Sequence, residues 1–145
     1  MEVMSQHIGC SERTLLVVPM HRKAYDTIPH PADAIRRKFP LAYGHLRGKI
    51  QRGEVEGGYI VVTDTREGKI ICWMIVHTQD GRGFNLEWIE SAIKSISAAN
   101  LHQKYDMGFP VLGCYREDGV DPEDVVELIR QNLDGPQHLC LYLNY

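Results

Sequence analysis

Two kinds of apolar spacing alternate along the chain. Leu15-Leu16-Val17-Val18-Pro19 is short and continuously apolar, the pattern of a strand buried on both faces. Residues 59–63 (YIVVT) and 70–77 (IICWMIVH) are rich in β-branched and aromatic side chains and predict two more strands. Asp64-Thr65-Arg66-Glu67-Gly68 between them predicts a hairpin turn. The second run has no polar alternation, so both of its faces should be covered. Helical spacing is clearest in Leu86, Ile89, Ile93 and Ile96, which predict a helix over 86–101 with Asn85 as its cap. Asp121-Pro122 opens a second helix: an N-cap carboxylate, a proline where the missing N–H costs nothing, then Val125, Val126, Ile129 and Leu133 turned inward. Asp134-Gly135-Pro136 ends it. Weaker helical character runs over 32–39, is broken at Pro40, and resumes through Tyr43, Leu46 and Ile50 to Gly53. Residues 107–112 and 138–143 read as further strands, and 21–31, with two prolines, as a long loop.

The resulting order is strand, loop, helix, hairpin, helix, strand, loop, helix, strand. Alternation of this kind predicts an α/β domain with helices on both faces of a mixed sheet. The 145 residues suit one domain, 1–145, with no repeat or linker dividing it. In open α/β sheets, ligands gather at loops after the carboxyl ends of strands. Three loops qualify: those after Pro19, after Val76 and after Leu112.

Charge narrows the function classes. Sixteen basic against nineteen acidic side chains leave a formal net charge of -3, which argues against a broad nucleic-acid-binding face. Ile35-Arg36-Arg37-Lys38 is the densest basic run, readable as a local patch or as the solvated face of a helix. Cys10, Cys72, Cys114 and Cys140 form no C-x-x-C pair, and Cys72 and Cys140 lie within apolar runs as buried free thiols do. A reducing, cytoplasmic setting is the expectation. The N-terminal residues lack the apolar core of a secretory leader, and no apolar run is long enough to span a bilayer. No membrane partner and no cofactor are expected. Gly81-Arg82-Gly83 is too short for a dinucleotide fingerprint, and neither a P-loop nor a G-x-S-x-G element is present. His21, His30, His45 and His77 match no metal-site spacing, so no metal is expected. Trp73 and Trp88, both inside apolar elements, read as core.

One ordered set of segments carries a family resemblance. Gly53-Glu54-Val55, a strand ending WMIVHT, a long helix, FPVLGC, an Asp-Gly-Val segment, a helix of the form DVVELI and the terminal strand LCLYL follow one another. This order resembles macrodomains, in particular the branch of terminal ADP-ribose protein glycohydrolases and related antitoxin macrodomains. The resemblance spans about residues 28–143 and is most specific from Gly113-Cys114 onward. It implies a three-layer α/β/α fold with a mixed central sheet and a crevice for an ADP-ribose-type small molecule. Nucleic acid would then enter only as an ADP-ribosylated substrate.

The same resemblance nominates site residues. The family's first Gly-rich loop falls on Ile28-Pro29-His30-Pro31-Ala32-Asp33-Ala34-Ile35, where no glycine remains and prolines remove amide donors. His30, the amides of Ala32 and Asp33, and Ile35 are the positions left to line it, beside Pro19. The family's catalytic lysine falls near His77, which can act as an acid or base, with Thr78 as a neighbouring contact. Its catalytic aspartate falls on Asp118 when counted back from the following helix and on Glu117 when counted forward from Gly113. Either carboxylate can activate water or attack an anomeric carbon, and Asp-Gly is equally a common solvated turn. Gly113, Cys114 and Gly119 keep the family's turn, whereas Tyr115 and Arg116 substitute side chains able to stack on a ring and to pair with phosphate. Loss of the glycine loop and the lysine leans toward a binder of ADP-ribose or a related nucleotide signal. An ADP-ribosyl hydrolase is the alternative, and a scaffold without ligand a third reading.

Overall fold

In the computed structural model, the residues described are 2–7, 12–20, 32–78, 83–112, 119–133 and 139–144. The elements are β1 (Glu2–His7), β2 (Leu15–Met20), α1 (Ala32–Lys38), α2 (Pro40–Gln51), β3 (Ile60–Asp64), β4 (Ile70–Ile75), α3 (Leu86–Ala98), α4 (Leu101–Lys104), β5 (Met107–Pro110), α5 (Pro122–Asn132) and β6 (Leu139–Asn144). The strands form one six-stranded sheet in the order β1-β6-β5-β2-β4-β3. All neighbours pair in parallel except β3, which runs antiparallel to β4 at one edge. The expected α/β/α architecture with a mixed sheet is therefore present.

The period-two geometry of strands divides the core in two. From β2 and β4, Leu15, Val17, Cys72 and Met74 face α3 and α5, where Ile89, Ile93, Ile96, Phe109, Val125 and Ile129 complete one cluster. The alternate residues Leu16, Val18, Met20, Ile71, Trp73 and Ile75 face α1 and α2 and meet Ile35, Phe39 and Leu46. Each fully buried aliphatic side chain stabilises the fold by about 1.5–3 kcal/mol relative to exposure. Trp73 is fully buried and Trp88 half-buried against the first cluster, as the sequence indicates.

Local chemistry explains most boundaries. Asn85 accepts a hydrogen bond from the Trp88 amide, and Asp121 accepts one from the Glu123 amide with Pro122 behind it. Pro40 begins α2, and Gly53, at φ +72°, follows its C-cap. Gly57 brings the loop after α2 onto α3: a Cβ there would lie 2.2 Å from the Trp88 ring, so only glycine permits the approach.

Three expectations are revised. β1 was not expected; Glu-Val-Met-Ser-Gln-His is too polar to stand out, and its strand comes from parallel pairing with β6. The helix expected over 86–101 ends at Ala98, and the chain turns through Asn100 in the left-handed region (φ 55°) into the short α4. The strand expected over 70–77 ends at Ile75, after which His77 forms an isolated antiparallel bridge with Phe84. The expected loop over 21–31 lies outside the described residues. No helix among the described residues is long and apolar enough to cross a membrane.

Candidate functional site

The carboxyl ends of the five mutually parallel strands lie along one edge of the sheet. At that edge β2 and β4 stay paired from Leu15↔Ile70 to Met20↔Ile75. By contrast, β2 and β5 are paired only at Leu15↔Met107 and Leu16↔Gly108. Beyond Leu16 the two strands share no ladder. Pro19 sits on this diverging stretch, buried, where its missing N–H deprives no ladder of a donor. The chain leaving β2 enters α1 on one face of the sheet, and the chain leaving β5 enters α5 on the other. Adjacent strands whose connections depart to opposite faces form the ligand crevice of open α/β sheets.

The β4–α3 connection forms one flank. The Met20 carbonyl accepts hydrogen bonds from the amides of Val76 (2.9 Å) and His77 (3.2 Å), which turns the chain off β4. The Thr78 amide donates to Gly83 O (2.8 Å), and the Asn85 amide to Val76 O (2.9 Å). The connection is thus tied to Met20 at its start and to Val76 at its end, and Asn85 passes directly into the α3 cap. His77 is only 5% exposed, and its ring stacks at 4.4 Å on Phe84 with a 41° tilt. Phe84 was not anticipated as part of the site. Its trace in the sequence is a single aromatic between Gly83 and the Asn85 cap.

Charge differs between the helix starts at this edge. At α1, Asp33 is held by Arg36 at 2.6 Å and Arg37 at 3.1 Å, so its carboxylate is countered. At α5, Asp121, Glu123 and Asp124 already occupy the positive end of the helix dipole. Cys72, in β4, has its thiol pushed up to about 12 by burial and is chemically a small apolar residue.

The nominated residues thus fall into three sets. Pro19, His77 and Thr78 are brought together at the ends of β2 and β4, and Asp33 and Gly119 lie near the starts of α1 and α5, with Gly119 at φ +72°. Ala32 and Ile35 are fully buried in the α1–α2 core. His30, Gly113, Cys114, Tyr115, Arg116, Glu117 and Asp118 lie outside the described residues. Among the described residues, no group of three His, Cys, Asp or Glu side chains gathers as a metal site would require.

A three-layer sandwich with this strand order is the macrodomain fold. The chain matches the macrodomain of Thermus aquaticus DarG with a TM-score of 0.82 and 17% identity, covering 99% of this chain and 97% of that one. The macrodomain of Mycobacterium tuberculosis DarG gives 0.81 and 19%, covering 99% and 97%. Thermosipho africanus DarTG in complex with ADP-ribose gives 0.77 and 15%, covering 97% of this chain and 40% of that one. No family model matches the sequence, and no curated protein does. At these identities the likeness is one of fold.

Proposed function

We propose that this chain binds an ADP-ribose-type ligand in the crevice between the ends of β2 and β5. The observation that carries this reading is the two-residue β2–β5 ladder, beyond which the strands are unpaired and their connections leave to opposite faces. The complex of Thermosipho africanus DarTG with ADP-ribose, alike in fold over 97% of this chain, supports the choice of ligand. Charge favours the diphosphate toward α1, where Asp33 is countered, over α5, whose first turn carries its own carboxylates. Arg116 and Tyr115 supply side-chain contacts to phosphate and ring in place of the backbone amides of a glycine loop.

Binding without turnover is the reading favoured over hydrolysis, because His77, at the position where the resemblance puts a lysine, packs its ring on Phe84. Titration calorimetry with ADP-ribose should give saturable heat, weakened at least tenfold by Arg116→Ala. Absence of heat with ADP-ribose and its derivatives would refute the binding reading. In the hydrolase alternative, Asp118 or Glu117 activates water, and release of ADP-ribose from a modified substrate should be lost in Asp118→Asn or Glu117→Gln. Turnover by the native chain would replace the binder reading with that one.

A further inference from the structure

We propose that this chain assembles head to tail with copies of itself, the outer face of α2 seating on the outer face of α5 of the next copy. Two outward helix faces carry the inference. On α2, Leu41 is 85% exposed, the most exposed large apolar side chain among the described residues. Gly44 and Gly48 follow at helical spacing on the same outward side, opposite the buried Ala42 and Leu46. A Cβ at Gly44 would meet nothing, so internal packing does not require glycine there. The outward face is therefore one projecting apolar knob beside low-lying backbone. Around it the stretch 32–54 carries Arg36, Arg37, Lys38, Arg47, Lys49 and Arg52 against Asp33, which pairs with Arg36 and Arg37, and Glu54, which pairs with Lys49 and Arg52, leaving the face net basic.

On α5 the complement is found. Pro122, Glu123, Asp124, Val126, Glu127 and Arg130 line a shallow groove of about 520 Å³. Its floor includes the half-buried Val126 and its walls are mainly carboxylate. An apolar knob with a basic collar thus faces an apolar floor with acidic walls. Pairing α2 with α2 across a two-fold axis would set two net basic surfaces against each other, so charge favours the heterologous arrangement.

Sedimentation or light scattering on the whole chain tests this. The wild type should show a mass above the 16.6 kDa monomer that rises with concentration. The mass should fall back when salt is raised from about 0.1 M to about 1 M, which shortens the screening length from about 10 Å to about 3 Å. Leu41→Asp removes the knob, and Glu123→Lys with Glu127→Lys removes the acidic walls. Each variant alone should run as a monomer. Their equimolar mixture should form a dimer and stop there, because one good α2 face and one good α5 face remain between them. Unchanged melting temperatures establish that both variants fold. A wild type that stays monomeric up to about 1 mM, where only contacts weaker than about 4 kcal/mol go unseen, overturns the proposal. So does a variant that associates alone, or a mixture that does not.

Discussion

The two helical layers are built to different standards. The α3–α5 layer has side-chain caps at both helix starts and an apolar face in register with the sheet. The α1–α2 layer has no side-chain cap at Phe39, carries two glycines inside α2 and keeps fewer large side chains over the sheet. Each interior glycine costs a helix about 1 kcal/mol relative to alanine. One layer is thus organised for stability. The other gives up stability in exchange for a low, basic surface. A domain of this size can tolerate that because the central strands are covered from both sides.

Substitutions at five positions test the difference between the layers. The largest effect is expected at Phe109, fully buried in β5 under α3 and α5: Phe109→Ala should cost about 3–5 kcal/mol in denaturant unfolding. If Leu46→Ala on the opposite face costs clearly more, the ranking of the layers is reversed. Gly57→Ala comes next. Its new methyl must displace the Trp88 ring, at a cost of about 1–3 kcal/mol, and a neutral result would mean that the loop is not seated on α3. Asp121→Ala should cost about 1 kcal/mol through loss of the bond to the Glu123 amide, with Asp121→Asn retaining most of it. The smallest effect has the opposite sign. Gly44→Ala should stabilise the monomer by about 0.5–1 kcal/mol when melted at high salt, since the added methyl meets open space.

The same contrast governs what could be read from the sequence. Elements that rest on their own residues are recognisable: the continuous apolar run of β4, the Asn85 cap and spacing of α3, and the Asp121-Pro122 start of α5. Elements that rest on distant partners are not. β1 owes its conformation to β6, and Ala98 ends α3 because Asn100 adopts a left-handed conformation that spacing does not reveal. At the site, sequence identifies the edge, because strand ends and helix caps are local features. It does not reveal that β2 and β5 part after two residues, which depends on how two strands far apart in the chain are aligned. Nor does it reveal that His77 lies against Phe84, since that contact needs the loop to close on itself. Nor does spacing choose between Asp118 and Glu117, because one extra residue shifts the count from either side.

The pairing of β1 with β6 has a kinetic consequence. Glu2 stands opposite Cys140, so this contact closes a loop of nearly the whole chain. Closing so long a loop sacrifices the most chain freedom for a strand with a single neighbour, so β1 should dock last during folding and be the first strand to come away. Amide exchange at residues 2–7 should then outpace that of β2 and β4 by orders of magnitude. Strands β2 to β6 should then be in place before β1 docks.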